Sequence, residues 1–435
     1  MYRVVPSSWR TDGLFLHRLL HPAVCVRMRM RHRVFLVVTL CTVCAIWHVR
    51  YGFFIPTAAT NSSNGTSTEM SFKSTPPKVS NVQGIGTFST IESPNTFDGV
   101  VARVFTPYNH PFPCFHPTDN QTTGRWPGRH PPLEQGPTQN GFLYVKIPKT
   151  GSSSGAGVHL RIARNVARRS PSYNFDICKA RCRHGKAHPH GNLRLARRDV
   201  NASFVWTLVR EPTQRAVSSF FHFQVARRAM EPTDDNFVRY LPRGHVTINY
   251  LSPREYHYRK GYNPIEYANE ILLHYNFIGL TERIDESLVV LSMLLDLPLT
   301  DILSVSAKRN GGYDDGASQN TCFKIPPSFV SPGMQRHFAS GAWRNLTRPE
   351  VALFQAVNRS LDLTMDALGR SAVQARLVRY RQAMAMVNER CTADTVKLPC
   401  TKDGVRREDV DVDCFFQDLA CGMDCLDRVA AEIDL

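Results

Sequence analysis

The feature that most constrains this chain is the stretch Gly141-Phe-Leu-Tyr-Val-Lys-Ile-Pro-Lys-Thr-Gly-Ser-Ser-Ser154, an apolar strand that runs through a Lys-Thr-Gly-Ser-Ser-Ser turn into a helix. Residues Phe142 to Ile147, Lys146 apart, are apolar on both alternating faces, the pattern of a strand inside a parallel sheet. The turn then lies at the carboxyl edge of that sheet. There Gly151 supplies the backbone freedom for a tight turn, and the first amides of the following helix point outward at an anion. Lys149 adds a mobile cation, and Thr150, Ser152, Ser153 and Ser154 add hydroxyl donors. The order is not that of a Walker A loop, because here the Lys precedes the Gly.

A second strand end has related chemistry. Phe204-Val-Trp-Thr-Leu-Val209 is continuous in apolar and β-branched residues and ends in Arg210-Glu211-Pro212 before a helical run. Ser218 lies eight residues after Arg210, with Arg215 and Ser219 beside it. An Arg fork at a strand end and a Ser hydroxyl two turns into the next helix can meet on one phosphate.

Taken in order, these motifs resemble those of the sulfotransferases that use 3′-phosphoadenosine 5′-phosphosulfate (PAPS). Pro148 to Ser154 is similar to their 5′-phosphosulfate loop, and Arg210-Glu-Pro with Ser218 to their 3′-phosphate motif. With the later strand Asn276-Phe-Ile-Gly-Leu-Thr-Glu282, the likeness spans about Phe142 to Leu297. It narrows to the Golgi carbohydrate sulfotransferases, with spacing nearest to the heparan sulfate 2-O-sulfotransferases. The resemblance implies an α/β fold, a P-loop-like three-layer sandwich around a central parallel sheet. It also implies transfer of a sulfuryl group from PAPS to a glycan hydroxyl.

In-line displacement at sulfur needs a base for the acceptor proton and a cation for the bridging oxygen. Lys149 is placed for the second role. For the base, the resemblance points to a His-Gly-His segment between the two phosphate motifs; here it reads His184-Gly185-Lys186, and His188 and His190 are nearby substitutes. The basic loop Lys308-Arg309-Asn310-Gly311-Gly312 matches a region that closes over the donor in sulfotransferases, so Lys308 and Arg309 are further donor-binding candidates.

Around this unit the chain has the marks of a secreted-pathway protein. Val34 to Trp47 is uncharged and largely apolar, and Tyr51 to Ile55 extends it past His48 and Arg50. Spanning a bilayer takes about 20 residues, so residues 34–55 are read as one transmembrane signal anchor. Arg27, Arg29, Arg31 and Arg33 precede it and set a type II topology with the bulk in the Golgi lumen; a cleaved signal peptide is the alternative. Sequons at Asn61, Asn64, Asn120, Asn201, Asn345 and Asn358 all follow the span. The Cys residues of 391–435 lack paired Cys-x-x-Cys or finger-spaced His, so they suggest disulfides and no metal site.

The expected organisation is a cytosolic tail (1–33), the anchor (34–55), a Ser/Thr/Pro-rich stem and irregular approach (56–139), a catalytic domain (140–390) and a disulfide-stapled Cys-rich tail (391–435). Helices are expected at Ser154–Arg169, Thr213–Arg228, Pro264–His274, Arg283–Leu295, Pro349–Leu368 and Ala372–Glu389. The formal charge of +16, the arginines Arg161, Arg164, Arg168 and Arg169, and Lys179, Arg181, Arg183, Lys186, Arg194, Arg197 and Arg198 before the second phosphate strand suggest a field that draws in a polyanionic donor or an acidic glycan. A lumenal address argues against nucleic acid. Two rival functions share the scaffold: a nucleotide-dependent lumenal kinase, which would need a magnesium-binding carboxylate at a strand end, and an inactive glycan-binding protein.

Overall fold

The chain divides into two units, Met1–Ile85 and Gly86–Leu435. The computed structural model describes residues 94–113, 141–170, 182–184 (backbone), 198–241, 245–252, 263–305, 312–314, 322–392, 396, 398, 400–408 and 422–433, all in the second unit. The expected anchor and stem up to residue 93 lie outside the described residues.

Two short strands, β1 (Thr96–Phe97) and β2 (Val100–Val101), form an antiparallel hairpin. Its turn residues Asp98 and Gly99 both have positive φ, 47° and 83°, as an Asp-Gly hairpin turn requires. The segment after it runs back over the core. Arg103 N donates to Ser360 Oγ, and Phe105 N to Thr364 Oγ1. Phe105 packs edge-on against Phe277 at 5.4 Å.

The central sheet begins with β3 (Gly141–Lys146), followed by helix α1 (Ser152–Arg169), β4 (Cys182–His184) and β5 (Ser203–Val209). After β5 come α2 (Pro212–Phe220), which runs on into a π-helical turn Phe221–Ala226, α3 (Asp234–Tyr240), α4 (Val246–Leu251), α5 (Pro264–His274) and β6 (Phe277–Leu280). Strand order is β4-β3-β5-β6 with every pairing parallel. The connection after β3 therefore leads to one side and the connection after β5 to the other. The sheet has its topological switch point between β3 and β5, where parallel sheets open a crevice at their carboxyl ends.

Helix α1 lies close against β3 and β5 because Gly155 has no side chain: a Cβ there would sit 2.3 Å from Tyr144 Oη and 3.1 Å from Leu208 Cδ1. Beside this contact, His159 stacks on Phe142 at 4.2 Å and accepts a hydrogen bond from Trp206 Nε1 through Nδ1. Full burial pushes the His159 pKa down to about 3, so the ring is neutral.

The remainder is mostly helical: α6 (Ile284–Leu294), a 3-10 turn Leu299–Ile302, the hairpin strands β7 (Tyr313–Asp314) and β8 (Phe323–Lys324), then α7 (Pro332–Phe338), α8 (Gly341–Ala367), α9 (Arg370–Arg390) and α10 (Met423–Glu432). Helix α8 starts well before the expected Pro349. Ser340 Oγ caps it by accepting from Trp343 N, and Pro349 lies inside it. The helix expected over Thr213–Arg228 changes from α to π geometry at Phe221.

The expectation of a P-loop-like three-layer sandwich is overturned, while the expected N-terminal transmembrane helix lies outside the described residues. What is present is a mixed α/β unit with a small parallel sheet, and no helix among the described residues is long and apolar enough to cross a membrane. Helices α8 and α9 have the length, but their charged residues repeat on one face while the other packs on the core. Trp343, Leu353, Val357 and Leu361 of α8 are buried; Arg344, Arg348 and Asp366 are not.

Among the described residues the Cys-rich tail is held by two disulfides, Cys322–Cys400 and Cys391–Cys425. The second ties α10 to the end of α9, and α10 in turn grips α1. Asp427 accepts from Arg161 at 2.8 Å, and from Arg164 and Arg168 at 2.9 Å each. Arg169 reaches the buried Asp301 at 2.9 Å. The expected donor-attracting stripe on α1 is thus a structural clamp, because its four arginines face carboxylates brought in from the distant 3-10 turn and the C-terminal helix.

Candidate functional site

Three strand ends meet at the switch point. The loop after β3 turns through two left-handed residues, Lys149 at φ 68° and Gly151 at φ 66°. A non-glycine residue in that region is strained, and such strain collects at functional sites. Thr150, between them, is buried and donates from Oγ1 to Ile147 O at 3.1 Å. Helix α1 then begins with Gly151 in the capping position, without a side-chain cap and without an acidic residue in its first turn. Its positive end carries no built-in counter-charge.

From the neighbouring strand, Arg210 reaches across to this loop. Its Nη1 donates to Lys149 O at 3.4 Å. Its Nε is buried without a hydrogen bond, the nearest anion being Glu282 Oε1 at 3.9 Å. Burial pulls the Arg210 pKa below its ordinary value against the opposing influence of Glu282 and Glu211. Arg210 thus holds a loop carbonyl with one nitrogen and pairs loosely with Glu282 through Nε, so its guanidinium charge lies at the loop. Ser218 lies two turns along α2, partly buried, and Arg215 is buried in an ion pair with Glu350 at 3.7 Å. Arg215 is therefore drawn toward α8.

The third strand end supplies residues that have no role in the sequence reading. Thr281 follows β6; its main-chain N donates to Val209 O, and its hydroxyl lies 2.8 Å from Thr150 O and 3.0 Å from Val209 O. Glu282 accepts from Glu211 N at 2.9 Å, and both oxygens of Glu211 cap α2 by accepting from Thr213 N and Gln214 N. The signal was the repetition itself: Thr281-Glu282 closes β6 as Arg210-Glu211 closes β5. Ser287 braces that end, accepting from Leu280 N at 2.9 Å.

No family model, no curated protein and no solved structure matches this chain.

The remaining expected residues fall as follows. Ser152 is buried, and Ser153 and Ser154 are partly buried in the first turn of α1. His184 ends β4, its backbone in parallel register with Lys146 of β3; this puts it at the same carboxyl edge, on the far side of β3 from Arg210. Lys308 and Arg309 lie outside the described residues. The structure thus brings together the loop Lys149–Ser154 and Arg210. It sets His184 along the same edge and Ser218 further along α2.

Proposed function

We propose that this protein transfers a sulfuryl group from PAPS to a hydroxyl of a glycan, in the oxidising lumen of the Golgi. The contact of Arg210 with the Lys149 loop across the switch point supports this reading, since it joins the two phosphate-type motifs at one sheet edge. The disulfides Cys322–Cys400 and Cys391–Cys425 support a lumenal address, since such bonds persist outside the reducing cytosol.

In this reading the α1 amides, the Thr150 N–H and the Ser152–Ser154 hydroxyls hold the 5′-phosphosulfate. Arg210 and Ser218 hold the 3′-phosphate, and Lys308 and Arg309 stay donor-binding candidates from the sequence. The acceptor oxygen attacks sulfur as the bond from sulfur to the 5′-phosphate oxygen breaks. The hydroxyl proton passes to His184, and the Lys149 ammonium meets the charge left on the departing oxygen. A kinase on this scaffold would need a strand-end carboxylate for magnesium. Glu211 gives both oxygens to the α2 cap, while Glu282 gives Oε1 to Glu211 N and is the strand-end carboxylate that a test of magnesium dependence addresses.

The test is incubation of the purified protein with sulfur-labelled donor and a panel of glycans. Label in a glycan, independent of ATP and magnesium, is the expected result. Transfer from ATP instead, or glycan binding without turnover, would replace the reading by one of its rivals.

A further inference from the structure

We infer that Thr281 is a positioning residue for the anion cradle, fixing from the third strand the direction in which the loop amides face. The inference rests on the functional reading above for its ligand, but its geometry stands apart from it.

The peptide unit is planar and trans, so the C=O of one residue and the N–H of the next point in opposite directions. Holding a carbonyl on one side of a loop therefore aims the following amide to the other side. Two carbonyls of this loop are held. Lys149 O accepts from Arg210 Nη1, which sets the Thr150 N–H. Thr150 O accepts from the Thr281 hydroxyl at 2.8 Å, which sets the Gly151 N–H. The hydroxyl has one proton and two oxygens in reach. Val209 O already accepts Thr281 N at 2.9 Å, so Thr150 O, the nearer of the two, takes the hydroxyl proton.

The side chain is also shaped to the loop. A Cβ on Gly151 would lie 3.4 Å from Thr281 Cγ2, with the backbone at φ 66°. The methyl therefore lies against the capping glycine while the hydroxyl holds the carbonyl before it. The main chain of Thr281 is fixed to β5 and its neighbour Glu282 holds Glu211 N. One short segment of β6 thus ties the β3 loop to the β5 end, and the two motifs keep their spacing through it. Valine retains the methyl packing and removes the hydrogen bond; serine does the reverse.

The experiment compares wild type, Thr281→Val and Thr281→Ser by amide hydrogen exchange over residues 149–155 without ligand, and by calorimetric titration with adenosine 3′,5′-bisphosphate. In the Val variant, exchange in this segment rises and nucleotide affinity falls, each by about tenfold, the factor that one net hydrogen bond represents. In the Ser variant both return to near wild type. Wild-type exchange in the Val variant overturns the inference. So does a Ser variant as impaired as Val, which would assign the effect to methyl packing. If Val cannot be purified folded, Thr281→Ala is read the same way against Ser. Absence of nucleotide binding by wild type would defeat the functional reading alone, since exchange still decides the role of Thr281.

Discussion

The Arg161 guanidinium, 1% exposed, donates to Asp427 at 2.8 Å and with its Nε to Thr300 O at 2.8 Å, so the helix that follows the anion loop is anchored by the C-terminal helix. Removing one partner of a buried pair leaves the other charge without compensation. Asp427→Asn keeps the shape and removes the charge that three arginines share. We expect it to lower unfolding free energy by on the order of 3 kcal/mol, measured by denaturant titration. Breaking Cys391–Cys425 by double alanine substitution should act on the same helix and cost about 2–4 kcal/mol. A loss below about 0.5 kcal/mol for Asp427→Asn, the size typical of surface changes, would show that the clamp does not contribute.

Lys149 is held at φ 68°, a conformation that costs a side-chain-bearing residue about 1–2 kcal/mol. Glycine adopts it freely but loses more freedom on folding. Lys149→Gly should therefore leave stability unchanged or raise it by up to about 1 kcal/mol while abolishing transfer. Thermal unfolding and single-turnover assays together check this. A stability loss with activity retained would mean that Lys149 serves packing.

His159 makes stability depend on pH in a defined direction. Its folded pKa of about 3 lies below the ordinary value of about 6.5. The unfolded chain therefore takes up a proton that the folded chain refuses, and stability falls as pH drops from neutral toward 3. His159→Gln retains an acceptor for Trp206 and removes the titration. Between pH 7 and pH 5 the wild type should lose about 2 kcal/mol more than this variant; equal losses by denaturant titration at the two pH values would contradict it.

Two sequons face different surroundings. Asn345 is exposed on α8, whereas Asn358 is half-buried and accepts from Arg283 Nη1 at 2.8 Å. Arg283 also pairs with Glu286 and with Asp362. In protein expressed through the secretory pathway, glycopeptide mass spectrometry should find a glycan on Asn345 and none on Asn358. The reverse occupancy would contradict this part of the structure.

Local signals explain what could be read in advance. Helix α5 follows its sequence bounds because Asn263 caps it by accepting Ile265 N, and Pro264 takes the first turn, where a missing N–H costs nothing. Strands β3 and β5 were legible because burial on both faces leaves continuous apolar runs. Pro349 misplaced the start of α8, since a Pro is read as a first-turn residue while the true cap, Ser340, precedes it. The arginines of α1 were misread for a different reason: Asp427 lies 266 residues from Arg161 in sequence. Thr281 acts through a main-chain carbonyl, so its one mark in the sequence is the Thr-Glu that closes β6 as Arg-Glu closes β5. The π-helical turn after Phe220 has no spacing of its own to betray it.

In the proposed function the Lys149 loop and Arg210 hold opposite ends of one bisphosphorylated adenosine. Calorimetric titration of wild type and Arg210→Ala with adenosine 3′,5′-bisphosphate and with adenosine 5′-phosphate tests this. Wild type should prefer the bisphosphate by about tenfold or more, as a charge-assisted pair worth about 1.5–3 kcal/mol implies. In Arg210→Ala that preference should vanish while the 5′-phosphate affinity remains. A variant that keeps the full preference, or a wild type that binds neither nucleotide, would contradict the account.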